Sequence, residues 1–266
     1  MRSVRAGLGS LMGREHKVLS GAMKAALRLF YPPQCLSCGA GVADGGAGAV
    51  HLCADCWPEA AFITGACCDC CGAPLPDDGS GTDMVLVCDD CLGAVRPWTR
   101  GRAAMVYGGT ARRLILALKH GDRLDLAPPM AAWLARAAAP LAMPGMIVAP
   151  VPLHLRRLAK RKYNQSAQVS GRVARTLGLD HQADLLVRVR HTQAQDHRGV
   201  ADRYANQQDA LAVHPRRAAG VAGRPVMLID DVMASGATIH AAALALLAAG
   251  SGPVSVAVLA RAVKDH

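Results

Sequence analysis

Residues 226–238 read VMLIDDVMASGAT. The four apolar residues from Val226 to Ile229 make the short continuous run expected of a strand buried on both faces. Asp230 and Asp231 follow at once. A loop of slim residues, Ala234, Ser235, Gly236, Ala237 and Thr238, then leads into an Ala/Leu-rich helix over 238–249 that stops at Gly250. A helix entered through such a loop turns its unsatisfied backbone N–H groups toward whatever lies before it, which favours an anion. Ser235 and Thr238 can add hydroxyl donors. Two carboxylates beside an anion cradle are contradictory unless the ligand carries hydroxyls or Mg²⁺ next to its phosphate, and a ribose 5-phosphate has that layout. A strand, an Asx turn and a capped helix would explain one aspartate, not two beside a glycine-centred loop.

The same strand–helix alternation fills the chain from residue 100 on. Residues 102–107 read as a strand and 110–120 as a helix with Thr110 as its N-cap. A second helix is expected over 127–138, a buried strand over 145–150, a helix over 164–177 closed by Gly178, and a last strand over 254–259. Apolar strands alternating with helices of this length predict an α/β domain, a parallel sheet flanked by helices. Ligands of such sheets bind beyond the carboxyl ends of the strands. The loop after 145–150 is a second candidate: residues 148–166 read VAPVPLHLRRLAKRKYNQS. Val151, Pro152 and Leu153 follow the strand directly, and Arg156, Arg157, Lys160, Arg161 and Lys162 form a basic cluster suited to a highly charged anion.

The charge distribution agrees. Residues 1–100 carry 8 Lys/Arg against 10 Asp/Glu, whereas residues 101–266 carry 22 against 10. An anionic partner for the C-terminal part follows: phosphate, pyrophosphate or nucleic acid. With only 3% aromatic residues, a base-stacking platform for single strands is disfavoured. No apolar run is long enough for a membrane span and no secretion signal is evident, so a cytoplasmic protein is expected, with residues 1–30 as an N-terminal arm.

All ten cysteines lie between Cys35 and Cys91. Eight of them repeat a pattern: Cys35-x2-Cys38 with Cys53-x2-Cys56, then Cys68-x2-Cys71 with Cys88-x2-Cys91. Each first pair is followed by glycine, Gly39 and Gly72, where a knuckle turn needs tolerance of positive φ. Paired C-x2-C knuckles at this spacing bring four thiolates onto Zn²⁺, and two tandem units predict two structural zinc sites over residues 31–98, ahead of an α/β domain over 99–266. A disulfide framework would need an oxidising compartment. Cys67 and Cys70 form a competing C-x2-C, although Gly72 and the match to the first unit favour Cys68 and Cys71. Sequential pairing of the ligands is favoured over interleaved pairing, which the spacing alone leaves open. His51, beside the first unit, reads as a surface residue or a substitute ligand. The histidines farther along, among them His154, His181, His191, His197, His214 and His240, lack metal-ligand spacing.

The segment 226–238 resembles the signature of type I phosphoribosyltransferases. That resemblance implies Asp230 and Asp231 on the ribose hydroxyls, residues 234–238 around the 5-phosphate, and Val151, Pro152, Leu153, Arg156 and Arg161 on the pyrophosphate side. Ala234 departs from the threonine often found there and removes one hydroxyl donor. With the tandem cysteine units and Tyr163-Asn164-Gln165 added, the chain over about residues 30–262 resembles the ComF family of competence-associated proteins, a double zinc ribbon followed by a phosphoribosyltransferase-like domain. Lys119-His120-Gly121-Asp122 and the stretch with Thr192, Gln195, Arg203 and Asn206 also fit that pattern, while Lys162 adds a charge where the family has glycine. The resemblance implies binding of phosphoribosyl pyrophosphate or a relative with Mg²⁺, phosphoribosyl transfer, and a role in DNA uptake with single-stranded DNA and competence proteins as partners. The alternative is a nucleic-acid-binding protein with a catalytically inactive fold. A zinc-stabilised scaffold for partner proteins would leave the paired aspartates unexplained.

Overall fold

The computed structural model describes residues 32–42, 52–76, 85–120, 123–152, 165–189 and 210–263, and the expected N-terminal arm lies outside them. Five strands make one parallel sheet: β1 (Arg100–Val106), β2 (Ile147–Pro150), β3 (Asp180–His181), β6 (Val226–Met233) and β7 (Val254–Arg261). Their spatial order is β1-β7-β6-β2-β3. Between β3 and β6 in the chain, β4 (Leu186–Arg188) and β5 (Leu211–Val213) pair antiparallel as a separate ribbon. Ile147 to Ala149, Val226 to Ile229 and Val254 to Ala260 are all buried, as expected for strands covered on both faces.

Four helices cover the sheet: α1 (Gly109–His120), α2 (Ala127–Ala138), α3 (Gln165–Leu177) and α4 (Ala237–Ala248). Pro128 and Pro129 sit in the first turn of α2, where a missing N–H costs no helical bond. Gly178 ends α3 at φ +67°, a left-handed stop that other residues reach only with strain. Thr110 is not the cap of α1. The helix begins one residue earlier, and the buried Thr110 hydroxyl donates to Glu59 Oε2 at 3.1 Å.

The strand holding the two aspartates is longer than its apolar run suggests. Val226 to Ile229 lie between β2 and β7, and from Asp230 onward β6 continues to Met233 paired with β7 alone. The acidic pair therefore sits on a projecting part of the strand. Its neighbour β2 leads through α3 to β3 on one side, while β6 leads through α4 to β7 on the other. The chain reverses its winding between β2 and β6, and a crevice at such a switch point is where open α/β sheets take ligands.

The chain forms two compact units, residues 1–57 and 58–266. The first holds Cys35, Cys38, Cys53 and Cys56. The second holds the other cysteine set together with the sheet, and Cys68, Cys71, Cys91 and Trp98 share a hydrophobic cluster with Ile239, Val256 and Val258. Backbones touch there: a Cβ on Gly72 would lie 2.5 Å from the Ala103 nitrogen, and one on Gly101 would lie 2.3 Å from the Cys70 carbonyl oxygen. Only glycine permits that approach. Among the described residues, no helix is long and apolar enough to cross a membrane.

Candidate functional site

The two cysteine sets are built alike. The Cys35 N–H donates to Ala40 O and the Gly39 N–H to Cys35 O; Cys68, Ala73 and Gly72 repeat both bonds. Gly39 and Gly72 have φ of +77° and +73°, the left-handed turn that the sequence repeat implies. Within each set, Cys35/Cys38/Cys53/Cys56 and Cys68/Cys71/Cys88/Cys91, the sulfurs lie within 4.8 Å of one another, and Cys38–Cys53 and Cys71–Cys88 are each 3.6 Å apart. A tetrahedral zinc with ~2.3 Å bonds sets its sulfurs roughly 3.8 Å apart. The two four-cysteine sets fit two zinc ions, and each set joins two successive C-x2-C pairs rather than interleaved ones.

The repeat also separates the extra thiols from the ligands. Gln34 bridges to Gly41 in the first unit as Cys67 bridges to Pro74 in the second. Cys67 thus occupies the position before the first ligand, and Cys70 occupies the position of Ser37. Burial raises both thiols above the ordinary range, which keeps them protonated and poorly nucleophilic.

At the switch point, Val151 follows β2 with its N–H bonded to Ile229 O at 2.9 Å, and Pro152 comes next. Asp230 and Asp231 stand beside this exit. The Asp231 N–H donates to Asp230 Oδ1 at 2.9 Å, and Lys119 Nζ, near the end of α1, pairs with Asp231 Oδ1 at 2.7 Å. Burial and the adjacent Asp231 charge push the Asp230 carboxyl up to about 7, against the opposing charges of Lys119 and Arg188. The pair is therefore differentiated: Asp231 has a cation of its own, and Asp230 titrates near neutrality.

Beyond the strand, Gly236 takes φ +80° at the entry to α4, and Ser235 Oγ accepts the Ala237 N–H at 3.4 Å. Ala234, Ser235, Gly236, Ala237 and Thr238 form the turn into this twelve-residue helix, close in the chain to the aspartates. Two arginines hold it from behind. Arg96 Nη1 donates to Ser235 O at 2.9 Å, and Arg261 Nη1 donates to Met233 O at 3.3 Å and Ala234 O at 2.9 Å.

The other candidates on the pyrophosphate side, Leu153, Arg156 and Arg161, lie outside the described residues, as do Arg157, Lys160, Lys162, Tyr163, Asn164, Gly121, Asp122, Thr192, Gln195, Arg203 and Asn206. His51, His154, His191 and His197 lie outside them too. Gln165 opens α3, and its side-chain amide reaches Lys119 O at 3.4 Å. His181 bonds Ser170 Oγ at 2.8 Å, and His214 Nδ1 accepts the Arg216 N–H at 3.2 Å, both ordinary structural uses. Lys119, Arg188, Arg96 and Arg261 are the site neighbours that residue-type reasoning did not select. Lys119 carried a signal in its Lys-His-Gly-Asp context; the arginines are single basic residues far apart in the chain.

A family model described as the double zinc ribbon domain matches residues 26–100. The DNA utilization protein YhgH of Salmonella typhimurium is 31% identical over 200 residues, covering 73% of this chain and 83% of that one. The chain belongs to the ComF family. Competence protein F of Haemophilus influenzae is another relative, 34% identical over 124 residues, covering 46% of this ComF-family chain and 52% of its own length. A solved structure, that of the allosteric regulatory enzyme of purine biosynthesis, aligns at 17% identity and a TM-score of 0.36 over 54% of this chain and 30% of that one. The ribbon module followed by a parallel, helix-flanked sheet is the architecture that the ComF resemblance implied.

Proposed function

We propose that the crevice between β2 and β6 binds phosphoribosyl pyrophosphate, or a closely related phosphoribosyl ligand, with Mg²⁺. The observation that carries this reading is the meeting, at one switch point, of a carboxylate pair, a glycine-centred helix entry and the exit of β2. The N–H groups of residues 234–238 would take the 5-phosphate. Asp230 and Asp231 would accept the ribose hydroxyls, with Lys119 fixing the orientation of Asp231. Val151 and Pro152 begin the pyrophosphate side, where Leu153, Arg156 and Arg161 follow in the chain. The carboxylates and ligand oxygens are the hard donors Mg²⁺ prefers, and when bound the ion would offset the charge of the departing pyrophosphate. The reaction suited to such a site is displacement of pyrophosphate from C1 by a nucleophile, the sugar passing through oxocarbenium character.

Calorimetry with phosphoribosyl pyrophosphate and Mg²⁺ tests the reading. Asp230→Asn combined with Asp231→Asn should weaken binding by about tenfold or more, because hydrogen bonds to charged acceptors are the stronger kind. Equal heats from wild type and variant would sink it.

A second reading has its own support. The excess of 22 Lys/Arg over 10 Asp/Glu in residues 101–266 suits a nucleic-acid backbone, and relatives carry the names DNA utilization protein and competence protein. On this reading the chain handles single-stranded DNA in the cytoplasm during uptake, alongside competence proteins. Its affinity should fall steeply between about 50 and 200 mM salt. A flat salt profile would count against it.

A further inference from the structure

The loop that enters α4 is shaped from behind by the second cysteine unit. Arg261, the last residue of β7, is 3% exposed. One edge of its guanidinium holds the carbonyls of Met233 and Ala234. The other faces Asp90 Oδ2 at 3.4 Å. Asp90 stands between the ligands Cys88 and Cys91, so a single buried side chain spans from the loop to the segment that carries two of the cage's cysteines.

A second link runs parallel to it. Arg96 Nη1 holds the Ser235 carbonyl, its guanidinium lies 5.3 Å from the centre of the Trp98 ring, and Trp98 Nε1 donates to Cys70 O at 2.7 Å. Both side chains lie beneath Gly236, where a Cβ would be 3.3 Å from Arg96 Nη1 and 3.4 Å from Trp98. Three successive carbonyls, those of residues 233, 234 and 235, are thus turned toward two arginines. In a planar trans peptide the C=O and the following N–H point in opposite directions. Holding these carbonyls at the back turns the N–H groups of Ala234, Ser235 and Gly236 to the other side, as an anion cradle requires.

We infer that Arg261, seconded by Arg96, is a positioning residue that couples the second four-cysteine site to the loop, so that metal held by Cys68, Cys71, Cys88 and Cys91 fixes the anion-binding shape of residues 234–238. The inference rests on the phosphoribosyl reading for its ligand, but not for its mechanics. A metal that fixes Cys88 and Cys91 also fixes the backbone between them, and with it the Asp90 carboxylate that Arg261 faces. A buried guanidinium held only by neutral carbonyls would be poorly compensated, and Asp90 with the sulfur cage supplies the negative charge.

The test uses the full chain with zinc bound. Hydrogen exchange at the amides of residues 234–238 is compared between wild type, Arg261→Met, Arg261→Lys and the surface control Arg217→Met, alongside zinc content and calorimetry with ribose 5-phosphate. Arg261→Met should speed exchange in the loop while β2 stays protected, and weaken ribose 5-phosphate by about tenfold. The lysine variant should recover part of both effects and the control neither. Withdrawing zinc from wild type with a chelator should speed the same loop amides. Loop exchange unchanged in Arg261→Met and after chelation would overturn the coupling. Should the variant unfold, Arg96→Met with the same exchange readout decides. If wild type fails to bind ribose 5-phosphate at all, the cradle reading falls and the exchange comparison alone decides the coupling.

Discussion

Asp230 holds a proton over a range where an ordinary aspartate has lost it. Its carboxyl is raised from 3.8 to about 7 by burial and by Asp231. Between those values the folded chain binds a proton that the unfolded chain has released, so this residue makes stability fall as pH rises from about 4 to 7. Asp230→Asn removes the cost and can still accept the Asp231 N–H. Chemical denaturation at pH 8 should find the variant on the order of 2–4 kcal/mol more stable than wild type, with the difference vanishing below pH 4. Ligand affinity should move the opposite way, the usual exchange at a functional site. Lys119 is the other lever. Lys119→Met leaves Asp231 without its cation and removes a charge that restrains Asp230, so carboxyl titration by NMR should find Asp230 protonated to still higher pH.

At the scale of elements, the turn from β6 into α4 depends on one glycine. Gly236→Ala would place a side chain at φ +80° and press on Arg96. A loss of about 1–2 kcal/mol in denaturant unfolding is expected, with weaker ribose 5-phosphate binding as the accompanying change. Legibility followed periodicity and punctuation. The run from Val226 to Ile229 announced a buried strand, and the ranges expected for α2 and α3 agree with the observed ones to within a residue, the second closed by Gly178. The extension of β6 to Met233 was not, because its pairing partner lies on β7 and two aspartates do not look like a strand. The β4–β5 pair was equally hidden: its strands have three residues each and lie more than twenty residues apart in the chain. Knuckle spacing made the cysteine sets readable, but the route from Asp90 through Arg261 to Ala234 depends on contacts between distant parts of the chain that no local pattern encodes.

For the molecule as a whole, the second cysteine unit belongs to the core of the sheet rather than to an appendage. Its sulfurs share a cluster with strand β7 and helix α4. Chelating the metal should therefore lower the melting temperature of the α/β part itself, followed by circular dichroism of the helices, since structural zinc contributes directly to folding free energy. Gly72→Ala should weaken the same junction by colliding with the Ala103 backbone, and its loss of stability should exceed that of Gly39→Ala, where a Cβ meets nothing within 4 Å. The indole of Trp98 lies at this junction, 4% exposed, with Arg96 on its face, Cys70 at its nitrogen and Gly236 above it. The chain has two other tryptophans, Trp57, which is exposed, and Trp133, which packs edge-on against Phe62. With both replaced by phenylalanine, the protein would carry a single tryptophan whose emission reports, in one optical signal, on zinc occupancy from one side and anion occupancy from the other.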